Sequence, residues 1–122
     1  MWELTKTFRF EAAHTLQRAV DTEASRRIHG HSYRAVIALR GEPDAATGMV
    51  VDLGVMEANL AQARAALDHR LLDDVAELGP ATLENLSAWI WRHVAPVAPG
   101  LVRVTVHRDS LDESCSYFGP AV

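Results

Sequence analysis

Residues 28–33 read Ile-His-Gly-His-Ser-Tyr and open a segment in which apolar and polar residues alternate. In an extended strand, side chains two positions apart point to the same face of the sheet, so the imidazoles of His29 and His31 share one small volume. Gly30 between them leaves room for another group to approach the backbone. This stretch therefore predicts a strand that carries two neighbouring metal-binding nitrogens.

The preceding residues 2–14 alternate in the same way and predict a second strand that pairs with the first in antiparallel fashion. His14 falls in the apolar phase of this strand and is expected to point inward, where a polar side chain needs a partner. Three imidazoles form the protein part of a catalytic zinc site, whose fourth position is left to water or substrate. The spacing alone fits equally well a buried structural histidine and two surface histidines.

The remainder of the chain predicts two helices followed by two strands. Asp52 and Thr82 have the side chains of helix N-caps, and apolar residues follow each at helical spacing. Residues 15–28 are polar and predict a loop, while residues 101–108 and 115–118 predict strands. The order ββααββ favours an α+β fold in which two helices cover one face of an antiparallel sheet, and subunit association covers the other face.

The composition indicates one globular domain spanning residues 1–122. The chain is 48% hydrophobic and 23% charged, with a formal net charge of −4. Its largest basic cluster is the pair Arg26 and Arg27, which argues against a nucleic-acid-binding surface, and no apolar run reaches the roughly 18 residues of a membrane span. The single cysteine and the absence of a signal-peptide pattern at the N-terminus favour a cytoplasmic protein.

Asp68 and His69 form a second candidate for chemistry, at the end of the first predicted helix. A carboxylate beside an imidazole orients the ring and raises its basicity, which suits a proton shuttle. A helix C-terminus also attracts a cation without any catalytic role. From this pair alone, the structural interpretation is favoured.

Taken together, five stretches resemble the 6-pyruvoyltetrahydropterin synthase / 6-carboxytetrahydropterin synthase family. They occur in the family's order and cover nearly the whole chain, and their combination is far more specific than any one of them. The matching stretches are residues 8–14, 29–33, 48–52, 67–69 and 82–85. The chain looks most like the bacterial branch, which makes 6-carboxytetrahydropterin for deazaguanine and queuosine synthesis.

The resemblance implies a tunnelling fold, in which ββααββ subunits close a barrel as a trimer and two trimers stack into a homohexamer with active sites between subunits. It implies a Zn²⁺ ion on the three histidines, a proton relay formed by Asp68 and His69, and a substrate-binding role for Thr82. The family substrate is the small molecule 7,8-dihydroneopterin triphosphate. Zinc would hold its side-chain hydroxyls and act as a Lewis acid.

Two positions depart from the family pattern. Ser25 stands where the family has its catalytic cysteine, and a serine hydroxyl is not ionised near neutral pH without a base. Glu23 lies nearby but is offset by two residues. Arg108 stands at or near the family's pterin-anchoring glutamate, and a guanidinium cannot accept hydrogen bonds. Arg108 and His107 are therefore expected to bind the far end of an altered substrate.

The sequence thus predicts a zinc-dependent lyase that acts on a pterin-like or other small hydroxylated carbonyl substrate, with Asp68, His69 and Ser25 as catalytic residues. One alternative is a 6-carboxytetrahydropterin synthase in which a shifted acidic residue anchors the pterin. The acidic residues available for this, if the turn after the third strand folds back, are Asp109, Asp112 and Glu113. Another alternative is a non-catalytic scaffold that zinc stabilises.

Overall fold

A five-stranded sheet with the spatial order β3-β1-β2-β4-β5 forms the centre of the computed structural model, which describes residues 1–20 and 22–121. The strands are β1 (Trp2–His14), β2 (His29–Gly41), β3 (Arg70–Leu71), β4 (Leu101–Arg108) and β5 (Glu113–Tyr117). The α-helices are α1 (Thr22–Arg26), α2 (Leu53–Leu67) and α3 (Leu83–Val94).

The long antiparallel pair of β1 and β2 confirms the two predicted strands and their pairing. Its register places His14 opposite His29 and Ala12 opposite His31. Residues directly opposite each other in an antiparallel pair project to the same face of the sheet. The register therefore brings all three histidines to the same face at one end of the sheet.

Helices α2 and α3 pack on this same face, as predicted. The core combines alternating sheet residues with one face of each helix, and its large members include Phe10, Tyr33, Ile37, Met56, Leu60, Leu86, Ile90 and Val104. The predicted N-caps are confirmed, because the Asp52 side chain accepts from the amide of Gly54 and that of Thr82 accepts from the amide of Asn85. None of the helices within the described ranges has the length and apolar character needed to cross a membrane.

A short helix and a short strand were absent from the prediction. The predicted loop contains α1, where an ion pair of 2.7 Å joins Arg27 to Glu23 one turn earlier. The two-residue strand β3 pairs in parallel with Ala12 and Ala13 of β1, so the expectation of a purely antiparallel sheet is wrong at this edge. Elements of two and five residues are too short to produce a recognisable hydrophobic period.

The last strand begins at Glu113, two residues earlier than predicted. A single turn of 3-10 helix and Asp112, in the left-handed conformation at φ 53°, reverse the chain after β4. Aspartate tolerates this conformation better than most residues. As a result, Arg108 and Glu113 stand directly opposite each other across the β4–β5 ladder.

Candidate metal centre and adjoining cleft

The three histidines predicted as metal ligands form one cluster. Their candidate ligand nitrogens all lie within 4.8 Å of one another, and Nε2 of His14 is 3.1 Å from Nε2 of His31. His14 is fully buried, whereas His29 and His31 are partly exposed. The cluster is therefore anchored on its inner side and accessible on its outer side.

Backbone carbonyls orient two of the three imidazoles. Nδ1 of His14 lies 2.8 Å from the carbonyl oxygen of Ala81, and Nδ1 of His29 lies 2.8 Å from that of Arg27. A protonated Nδ1 donates to such a carbonyl and leaves the Nε2 lone pair free for a metal. Because Ala81 directly precedes the Thr82 cap, the start of α3 positions the innermost ligand.

Burial favours the neutral form of His14 and His31, which is the form that binds metal. It lowers the pKa of His31 to about 4, and the nearby His14 and Arg108 lower it further. Burial also lowers the pKa of His14, although the hydrogen bond to Ala81 opposes this shift. Three imidazole nitrogens with an accessible side match the donor set of a catalytic Zn²⁺ site.

We expect the metal-free protein to lose stability as the pH falls from 6.5 toward about 4, because folded His31 has a pKa of about 4 and its unfolded value is 6.5. The unfolded chain binds more protons within this window, so the free energy of unfolding rises with pH there. Urea unfolding in the presence of a chelator, at several pH values, measures the slope. The variant His31→Gln should have a shallower slope, and an unchanged slope would contradict the assignment.

A cleft of about 340 Å³ adjoins the histidine cluster. Its lining includes His29, His31, Ser25, Thr82 and Arg108. Ser25 is only 6% exposed, and its carbonyl oxygen accepts a hydrogen bond of 2.7 Å from the amide of Leu16, which holds α1 against the end of β1. The fold thus brings candidate metal ligands, the residue at the cysteine position and two predicted substrate-binding residues to one cleft.

Arg108 and His107 lie on opposite faces of β4, because side chains alternate along a strand. Arg108 reaches the cleft, whereas His107 stands beside Arg34 in the β2–β4 ladder, with Nδ1 4.0 Å from Asp109. Burial and the Arg34 charge lower the pKa of His107. The fold therefore does not place the His107 side chain in the cleft beside Arg108. A substrate contact by His107 stays a prediction.

Asp68 and His69 form a hydrogen-bonded pair outside this cleft. Oδ2 of Asp68 lies 3.0 Å from Nδ1 of His69, while Oδ1 accepts a hydrogen bond of 2.9 Å from the amide of Glu11. The Glu11 amide and His69 lower the pKa of Asp68, so the carboxylate is charged. The His69 side chain is 78% exposed. It borders a second cleft of about 570 Å³, which Ser32 also lines. His31 lines both clefts.

The backbone of His69 has an uncommon left-handed conformation, with φ at 57°. Its amide donates a hydrogen bond of 2.6 Å to the carbonyl oxygen of Glu11, which holds this geometry against β1. Strained conformations of non-glycine residues are concentrated at functional sites. The local structure therefore fixes the backbone of His69 beside β1, at the edge of the second cleft.

The sequence matches the family described as 6-pyruvoyl tetrahydropterin synthase over residues 3–120. The chain belongs to this family. A 6-carboxy-5,6,7,8-tetrahydropterin synthase from Synechocystis sp. is 35% identical over 126 residues, which cover 98% of this chain and 95% of that protein. The human 6-pyruvoyl tetrahydrobiopterin synthase is 39% identical over 75 residues, covering 58% of this chain and 52% of the human protein.

Solved structures agree with the family assignment. A 6-pyruvoyl tetrahydropterin synthase from Caenorhabditis elegans superposes with a TM-score of 0.82 at 26% identity, covering 98% of this chain and 96% of that chain. The Plasmodium falciparum 6-pyruvoyl tetrahydropterin synthase superposes with a TM-score of 0.71 at 13% identity, covering 96% and 98%, and supports the fold alone. The resemblance inferred from the five stretches is confirmed, and so is the α+β class.

Several polar residues that line the cleft beside the histidine cluster were not identified as site residues from the sequence. Gln17, Arg18 and Glu84 line it, and Glu113 had been considered only as a conditional substitute. Gln17 and Arg18 lie in a segment without any periodicity, and helix capping fully explains an acidic residue at position 84. Glu113 would have been found by predicting the β4–β5 pairing register.

Proposed function

We propose that this chain is a zinc-dependent lyase of the 6-pyruvoyl/6-carboxytetrahydropterin synthase family, acting on a pterin-like or other small hydroxylated carbonyl substrate. The observation that carries the proposal is the cluster of three imidazoles beside a cleft of small-molecule size. His14, His29 and His31 would hold a Zn²⁺ ion, which when bound polarises a substrate hydroxyl or ketone. Membership of a family whose relatives are tetrahydropterin synthases supports the reaction class.

His69 is the proposed proton carrier, and Asp68 holds it. The carboxylate accepts from Nδ1 of the imidazole, which leaves Nε2 free to take a proton from the carbon next to the polarised group and to return it to a neighbouring carbon. Because His69 is exposed and borders a different cleft from Ser25, we propose that it serves the metal cleft of another copy. This arrangement requires copies of the chain to associate, as they would in the homohexamer, a dimer of trimers with active sites between subunits, that the family resemblance implies.

Ser25 is proposed to contact the substrate in place of the family cysteine. Glu23, the other candidate for that role, has an 84% exposed side chain that pairs with Arg27, and it is not among the described residues that line the metal cleft. A hydroxyl without an adjacent base is a weak nucleophile. We therefore expect poor cleavage of the side chain that the family cysteine supports.

A second candidate function is the unmodified reaction of a 6-carboxytetrahydropterin synthase on 7,8-dihydroneopterin triphosphate. Glu113 favours it, because this residue lines the cleft next to Arg108 and supplies a carboxylate near the position of the missing glutamate. The 35% identity to the Synechocystis synthase also favours it.

Incubation of the zinc-loaded protein with 7,8-dihydroneopterin triphosphate separates the two candidates. We expect release of triphosphate and acetaldehyde at a rate about 100-fold or more below that of the Synechocystis enzyme, because a positioned proton-transfer group contributes about 10²–10⁴-fold. Release at a similar rate would instead establish the second candidate. The variant Ser25→Cys tests the role of the family cysteine position directly, and we expect it to release acetaldehyde faster than the unmodified protein. The variant His29→Ala, which lacks a proposed zinc ligand, gives the background rate of product release.

A further inference from the structure

The edge strand β3 is so short that carboxylate side chains bind the backbone amides of β1 on either side of it. β3 pairs with residues 12–13 of β1. Before this pairing, the amide of Glu11 donates a hydrogen bond of 2.9 Å to Asp68. After it, the amide of Thr15 donates a hydrogen bond of 2.9 Å to Oδ1 of Asp73. Because backbone N–H groups require acceptors, the two carboxylates extend the pairing of β1 beyond both ends of its neighbour.

Asp73 binds Thr15 through both of its carboxylate oxygens. Oδ1 accepts from the amide, and Oδ2 accepts from the hydroxyl of the same residue. Asp73 belongs to the single 3-10 turn Leu72–Asp74, which begins with the fully buried Leu72. The carboxylate therefore stands on a turn that is fixed to the core, and its two contacts restrict both the backbone and the side chain of Thr15.

The residue that Asp73 anchors directly follows His14, the buried member of the histidine cluster and the last residue of β1. The His14 ring is held on one side, where Nδ1 lies 2.8 Å from the carbonyl oxygen of Ala81. Strand pairing holds its backbone as far as the His14–His29 pair, at which the β1–β2 ladder ends. Just beyond this pair, the contact with Asp73 fixes the chain. An imidazole presents its nitrogen at a fixed point when both its ring and its backbone are held.

We propose that Asp73 is a positioning residue of the metal site, which raises the zinc affinity by holding the end of β1 at Thr15. Without this contact, the backbone after His14 is free to move and the ligand set is less well preorganised. The contact needs an acceptor and a polar partner but no charge, because an asparagine amide accepts from the backbone N–H and donates to the hydroxyl. The inference rests on the proposed function for its Zn²⁺ ion and goes beyond it by assigning a role to a residue that is not among the described residues lining the metal cleft.

Competition for zinc with a chromogenic chelator tests this role in the full chain. We expect Asp73→Ala to weaken zinc binding about 10- to 100-fold, the range found for outer-shell partners of metal ligands. Asp73→Asn should restore most of the affinity, because it retains the geometry and removes only the charge. Asp73 is exposed, so neither substitution disturbs the core. Thr15→Val removes the hydroxyl contact but keeps the amide, and it should weaken zinc binding less than Asp73→Ala.

Co²⁺ loaded in place of zinc gives a second readout, since its visible absorption depends on the arrangement of its ligands. The spectrum of Asp73→Ala should differ from that of the unmodified protein, whereas the spectrum of Asp73→Asn should match it. Urea unfolding in the presence of a chelator measures the metal-free stability of each variant on its own. A purely structural role for Asp73 would lower this stability and leave the Co²⁺ spectrum unchanged.

Asp74→Ala is the matched control, because Asp74 lies in the same 3-10 turn and lines a different cleft. It should leave the zinc Kd and the Co²⁺ spectrum unchanged. An unchanged zinc Kd in Asp73→Ala or in Thr15→Val would overturn the inference, and so would a loss of affinity in Asp73→Asn as large as that in Asp73→Ala. These outcomes leave the proposed lyase intact, whereas an unmodified chain that binds no zinc refutes the proposed function as well.

Discussion

Replacing His29 with alanine is expected to reduce bound zinc from about one ion per chain to a small fraction of that value. It should also lower any turnover of 7,8-dihydroneopterin triphosphate by about a thousandfold or more, because Lewis-acid polarisation contributes several kcal/mol to transition-state stabilisation. His29 is the preferred position because its side chain is partly exposed, so its truncation leaves the core intact. The buried His14 is less suitable, since its loss would create a cavity. Elemental analysis of the dialysed protein measures the metal.

His93→Gln is the control for this experiment. His93 lies near the last residue of α3, whereas the cluster lies near the first, about 15 Å away at 1.5 Å per helical residue. This variant should retain its zinc. Full zinc occupancy in His29→Ala, or equal metal loss in both variants, would contradict the assignment of the triad.

Replacing His69 with alanine is expected to lower kcat about 10²- to 10⁴-fold while zinc content stays unchanged, because a positioned proton-transfer group contributes about this much. Zinc is retained because His69 is not a member of the metal cluster. Asp68→Asn should have a smaller effect on kcat. Its amide oxygen can still accept from the Glu11 amide, so the turn persists and only the carboxylate partner of the imidazole is lost. Steady-state kinetics and metal analysis on the same samples separate the two effects.

Mixing the inactive variants tests whether the site lies between subunits. If His69 of one copy serves the metal cleft of another, co-refolded His29→Ala and His69→Ala chains will form some sites with both intact groups. The mixture should then be more active than either variant alone. A mixture no more active than its components would argue against a shared site. Equal activity of His69→Ala, Asp68→Asn and the unmodified protein would support the zinc-stabilised scaffold instead.

The long elements of the fold could be predicted from the sequence because their signals are local and repeated. Thirteen alternating residues in β1 and another thirteen in β2 define both strands and the inward phase of the histidines. The caps at Asp52 and Thr82 need only their own side chains and the next turn of backbone. The metal cluster followed from these same patterns, since a period of two and one antiparallel pairing are sufficient to bring its members together.

The positions of the polar groups around the histidine cluster were decided by tertiary structure. His107 and Arg108 are adjacent in sequence, but strand alternation and the neighbours of β4 place only Arg108 in the cleft. The left-handed backbone of His69 depends on a hydrogen bond to Glu11 on a distant strand. No pattern within a short window encodes such a contact.

The sequence by itself determined the family, the three histidines of the candidate metal site and the two departures at Ser25 and Arg108, because residue identity and short-range periodicity suffice for each. Only the tertiary structure decided that Arg108 is paired. The tight turn after β4 sets the register that places Glu113 opposite it, and this register is a property of two strands and their connection. A position that appeared as an unmatched cation in the chain is therefore one half of a donor–acceptor pair in the folded protein.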